Sequence, residues 1–274
     1  MLAFISLTVK AGLYVGGLGA AGLSLHGNIL DTNHRPWIAR LALLLLICAT
    51  LRLLLLNAEL AGGLERMFDF SMFGWVWAPN RLQVLSYSAG GLALLAGALF
   101  RTRALLLIGA LAVIAAAGLG GHTHGLESPE LNPYLVSLHF AIAAFWVSAP
   151  IVLWPANHVS DDVVLYRMRR FSQFALWCVP LLFASGLWLA FQLTGSLPSM
   201  IATLYGQLLL LKLLLACAAL ALGAYNKMCV TQRLEIDAAS GRCLLRRTLM
   251  MDAVLFAGVL LAIGAATTLT GPGA

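Results

Sequence analysis

Ile38-Ala39-Arg40-Leu41-Ala42-Leu43-Leu44-Leu45-Leu46-Ile47-Cys48-Ala49-Thr50-Leu51-Arg52-Leu53-Leu54-Leu55-Leu56-Asn57 decides the fold class. Twenty helical residues rise about 30 Å, the thickness of a bilayer's hydrocarbon core. The stretch contains no proline or glycine, and its leucines favour a helix. A sequence this apolar can satisfy its backbone in lipid only by forming a helix or joining a closed barrel, and it lacks the polar alternation of a barrel strand.

Seven further stretches read the same way. The eight expected spans are Leu2 to Leu25, Ile38 to Asn57, Leu82 to Phe100, Ala104 to Leu119, Tyr134 to Leu153, Phe171 to Leu193, Ile201 to Ala224 and Leu249 to Leu269. Of the 274 residues, 61% are hydrophobic and 10% charged, against about 25% charged in a soluble domain. The expectation is an all-α, polytopic membrane bundle forming one domain over residues 1–274. The first stretch lacks a basic leader and carries Lys10 inside its apolar run, so it is read as a span and not as a signal peptide.

Arginine and lysine set the expected orientation, because cytoplasmic loops retain them. Arg35, Arg40, Arg101, Arg103, Arg167, Arg169, Arg170, Lys227, Arg233, Arg242, Arg246 and Arg247 all fall on one side of the eight-span map. The other side holds Arg66 and Arg81, which puts both termini outward. The net charge of +6 reflects this asymmetry and does not point to nucleic acid. Cys48, Cys178 and Cys217 fall in spans, and Cys229 and Cys243 in the last inner loop. No disulfide framework is expected, and the two loop cysteines form no recognised metal motif.

Residues 58–81 are too polar to span and too aromatic for a free loop, so an interfacial or re-entrant element on the outer side is expected. Met67 and Met72 within it are weaker candidates for thioether ligands of Cu(I); apolar packing is the alternative role.

The residues that carry chemistry are histidines. Gly120-Gly121-His122-Thr123-His124 closes the fourth span, and His139 opens the fifth. Imidazole binds copper, zinc, iron and nickel, so His122, His124 and His139 form a candidate metal site at the outer membrane edge. On a continuous helix His122 and His124 would diverge by about 200°, so the helix must end before them. Gly118, Gly120 and Gly121 are expected to supply that stop through a left-handed cap. Glu127 and Glu130 are candidate acceptors for an imidazole N–H. His34 and His158 read as solvated turn residues, and His26 as a satisfied interface residue.

Lys10, Arg52, Lys212 and Asp252 fall inside spans, where charge is expensive and faces a polar interior. They are expected to pair with backbone carbonyls, with Glu59 or Asp252, or with an anionic cofactor. Three cations would repel a free metal ion.

Several segments together resemble the copper resistance D family of bacterial inner-membrane proteins. They are Gly121-His122, Leu138-His139 with Ala143, Ala144 and Trp146, Arg170-Phe171-Ser172, Ser185-Gly186, Thr203, Tyr205-Gly206, Leu209-Leu210, Lys212-Leu213 and Asn226. The resemblance is strongest over residues 119–274. It implies a multi-pass protein that takes up copper, as Cu(I) or Cu(II), at the periplasmic face and helps import it, beside a periplasmic copper-binding partner. His122 and His139 match the family's histidines; His124 is an addition. Leu13 and Tyr14 stand where the family often has a first-helix histidine, and Ser148-Ala149 replaces its usual glycine pair.

Two other classes compete. In a membrane redox protein, paired histidines would hold a b-type haem whose propionates meet the cations. In a non-catalytic anchor or assembly factor for a periplasmic copper protein, the histidines would be structural. No Ser-His-Asp, Cys-His, HExxH or phosphate-loop pattern is present, so an enzyme is not expected.

Overall fold

A computed structural model describes residues 1–30, 32–120 and 130–269. All regular structure among them is helical: α1 (Leu2–Ile29), α2 (Arg35–Ala61), α3 (Phe73–Leu99), α4 (Arg103–Gly118), α5 (Asn132–Val147), α6 (Ala149–Val152), α7 (Asp161–Thr194), α8 (Leu197–Ala202), α9 (Leu204–Tyr225), α10 (Thr231–Ile236) and α11 (Ala238–Leu269), with short 3₁₀ and π turns between some of them. Seven helical segments are long and apolar enough to cross a membrane, and Arg103–Gly118 is a shorter apolar helix. The protein is an all-α, multi-pass membrane bundle.

The helices overrun the expected spans where charge allows. α7 begins at Asp161, ten residues before the expected Phe171, and α11 at Ala238 instead of Leu249. Arg167, Arg169, Arg170, Arg242, Arg246 and Arg247 therefore stand on helices, not in loops. The long side chains of Arg169, Arg242 and Arg246 reach polar partners. Arg242 pairs with Asp161 at 2.6 Å, and Arg246 donates to the Asn157 side chain at 2.6 Å. Beneath them Val164, Met168, Val230, Leu234, Leu245 and Leu249 form a second core that joins α7, α10 and α11.

The stretch 58–81 is likewise more helical than expected. α2 runs to Ala61 and is capped by left-handed Gly62 at φ 96°, a conformation that suits glycine. α3 starts at Phe73, so Phe73, Trp75 and Trp77 occupy its first turns. Pro79 removes one ladder donor there, and the Asn80 side chain donates to the Val76 carbonyl in the loosened turn. The remaining connector is held by Asn57, whose amide donates to the Met67 and Asp69 carbonyls at 3.1 and 2.8 Å.

The fold's polarity is that of a membrane protein. Trp177 and Leu214 are 81% and 67% exposed on the outer surface of the bundle, where lipid would meet them. Leu18, Leu23, Ile38, Leu45, Leu94 and Val113 fill the core between α1, α2, α3 and α4. Close helix approach rests on small residues. A Cβ built on Gly90 would lie 3.0 Å from the Gly109 carbonyl, and one on Gly109 would lie 2.8 Å from the Gly90 carbonyl. Only glycine at both positions permits that α3–α4 contact.

Candidate metal centre and central cavity

α4 does stop before His122, but through different geometry from that expected. Its C-cap is Leu119 at φ −83°, so neither Gly118 nor Gly120 acts as a left-handed cap. Both glycines instead allow close packing. A side chain at Gly118 would strike the Pro133 carbonyl and Ser137, and one at Gly120 would strike the Gln83 amide. The end of α4 is thereby pressed against the first turn of α5. His122, His124, Gly121 and Glu127 lie outside the described residues.

His139 stands on α5 and faces α7 and α9. Its Nδ1 is 3.2 Å from the Leu182 carbonyl and 3.1 Å from Ser185 Oγ, while Ser185 donates its own hydroxyl proton to the same carbonyl at 3.1 Å. Two acceptors on that side require Nδ1 to carry the proton. The lone pair is left on Nε2, the arrangement in which a histidine ligates a metal while a backbone carbonyl orients it. Gly186 supplies the room: a Cβ there would lie 2.9 Å from His139 Cε1. This Ser185-Gly186 support is the part that imidazole counting overlooks, although the pair is visible in the sequence.

Nε2 faces Lys212 Nζ at 3.5 Å. Lys212, expected to meet a carbonyl, a carboxylate or an anionic cofactor, has the ring itself as its neighbour among the described residues. Among the described residues no three His, Cys, Asp or Glu side chains group to hold a metal ion. His139 is the one predicted histidine ligand that can be placed, and its ring nitrogens contact Leu182, Ser185 and Lys212.

His139 and Lys212 also line two cavities. One, of about 120 Å³, is apolar and includes Trp146, Met200 and Phe256. The other, of about 440 Å³, lies in the middle of the bundle and is lined by Lys10, Arg52, Gln83 and Gly120 as well. The buried thioether of Met200 is a soft group that ligand selection from the sequence passed over.

The other candidates separate. Lys10 donates to the Thr267 carbonyl on α11. Arg52 lies 3.8 Å from Glu59, which accepts from Ser6 at 2.7 Å. Asp252 is buried with Oδ1 lacking a hydrogen-bond partner, and it lines neither cavity. Met67 is half-buried and Met72 exposed, and neither lines the cavities that share His139. Glu130, the described carboxylate of the pair expected to support the histidines, is exposed.

His26 is fully buried, with Nε2 donating to the Phe145 carbonyl at 2.8 Å and the ring stacked 4.1 Å from that of Phe145. Its place is among aromatic rings, away from both cavities. His34 differs from the solvated reading, since its Nε2 is shut off from solvent and has no hydrogen-bond partner. The five cysteines are free thiols, and Cys229 and Cys243 are exposed.

Residues 166–266 match the family model described as Copper resistance protein D. Over this segment, a little over a third of the chain, the protein is similar to the copper resistance protein D family. The matched segment begins after His139 and contains Ser185, Gly186, Lys212 and Asp252. It therefore supplies the wall that orients and faces His139, which ties the protein to copper resistance. No curated protein and no solved structure matches the chain.

Proposed function

We propose that the protein binds copper at the periplasmic face of the bacterial inner membrane and helps carry it inward, without acting as an enzyme. The supporting observation is the state of His139: its Nδ1–H is committed to Leu182 and Ser185, so Nε2 is the available ligand atom. Gly120 lines the same cavity as His139. Two residues of chain reach at most about 7 Å, and four reach about 14 Å, so covalent geometry keeps His122 and His124 within those distances of Gly120. Copper, the cargo, would be taken by His122, His124 and His139 and would displace Lys212 from Nε2.

Both termini face the periplasm in this reading. Lipid surrounds the bundle, and a periplasmic copper-binding protein delivers the ion. The test compares the wild type with the His122→Ala/His139→Ala variant for copper retained by the purified protein and copper taken up by cells. Loss of both is expected. Unchanged retention and uptake in a folded double variant would sink the assignment.

A further inference from the structure

We propose that the central cavity is a binding site for an oxyanion, held by cations on a wall that it shares with His139 and occupied when no copper is present. Lys10 from α1, Arg52 from α2 and Lys212 from α9 all line this space of about 440 Å³. Among the described residues no carboxylate does. Glu59 stands behind Arg52 and already accepts from Ser6.

Cations inside a membrane bundle are costly unless an opposite charge or strong acceptors compensate them. Here compensation is incomplete. The Arg52–Glu59 separation of 3.8 Å is too long for a hydrogen bond, and Arg52 Nη1 is shut off from solvent with no hydrogen-bond partner. Lys10 uses one of its three donors on Thr267. Lys212 meets a neutral ring nitrogen at 3.5 Å, which leaves its charge unopposed. A guanidinium fork and two ammonium groups around one space are the donor set for carboxylate or phosphate oxygens. Tyr14, Gln83 and Tyr205 add neutral polar groups to the same wall.

An oxyanion held here would neutralise the field that otherwise repels copper, so copper and anion would bind with positive coupling. The anion site itself stands on the cations and does not require copper binding. Its ligand is either a free small anion or the phosphate of a lipid headgroup entering between helices.

The test uses the full chain, stripped of copper, with tryptophan fluorescence reporting the thermal midpoint. Citrate and inorganic phosphate probe the free source in detergent; nanodiscs of phosphatidylglycerol against phosphatidylcholine probe the lipid source. At least one probe is expected to raise the midpoint, with apparent affinity falling about tenfold or more in Lys10→Gln/Arg52→Gln. Arg40→Gln, which removes a cation away from the cavity, should leave the response intact. Should the double variant fail to fold, Lys212→Leu serves in its place with the same expected loss. A response to citrate or phosphate identifies a free anion, and a response to phosphatidylglycerol alone identifies the headgroup. No response to any probe, or one that persists unchanged in the cavity variants, overturns the proposal.

Discussion

Lys212 Nζ stands 3.5 Å from His139 Nε2, the ring nitrogen that keeps its lone pair. An ammonium group and a copper ion cannot share one lone pair, so the lysine competes directly with the ion. Replacing it with leucine keeps the bulk and removes the competitor. Lys212→Leu is expected to tighten Cu(I) binding about tenfold, equivalent to about 1.4 kcal/mol. Competition against a Cu(I) chelator measures this, and weaker binding in the variant would show that Lys212 assists the ion.

Gly186 and His139 form the second testable contact. A Cβ at position 186 would stand 2.9 Å from the ring, so the imidazole must turn away from Leu182 and Ser185. Gly186→Val should destabilise the protein by about 1–3 kcal/mol through overpacking. Gly186→Ala should be milder, because helix propensity returns about 1 kcal/mol. Copper retention should fall in the order wild type, alanine, valine. Wild-type retention in the valine variant would remove His139 orientation from the mechanism.

Cys229 and Cys243 report on orientation. Both are exposed, and both belong to the end of the bundle that carries the arginine pairs. With that end in the cytoplasm, an impermeant maleimide should label them in inverted vesicles and leave them unlabelled in intact spheroplasts. The reverse pattern would invert the proposed topology.

Asp237 offers a pH-dependent contact outside the spans. The Ser240 hydroxyl donates to its Oδ2 at 2.6 Å and the Ser240 amide to its Oδ1 at 3.3 Å, at the start of α11. The hydroxyl contact first, then the amide contact, holds the carboxyl below its ordinary value. A depressed folded value means the contribution is present above the unfolded carboxylate pKa and lost as pH falls through the folded one. The midpoint difference between wild type and Asp237→Ala should therefore shrink below about pH 4. A difference that stays constant between neutral and acidic pH would mean the charge of Asp237 is irrelevant to the cap.

Helix identity was legible because membrane insertion is a local, one-dimensional constraint. Ile38 to Asn57 can do little else in lipid than form one helix, and α2 contains it whole. Helix ends were less legible. Phe73 to Arg81 read as interfacial because tryptophan and proline disguise a helix start, while Arg242 to Arg247 read as a loop because their charges conceal a helix continuing past the apolar zone.

Composition, span order and the positions of the histidines and buried cations were determined by the sequence alone, since each depends on neighbours along the chain. The state of His139 was decided only by tertiary structure. Its orienting partners lie 43 and 46 residues away and its competitor 73 residues away. Packing of α5 against α7 brings the orienting groups to the ring and Lys212 reaches it from α9, and no periodicity along the chain encodes which lone pair then remains available.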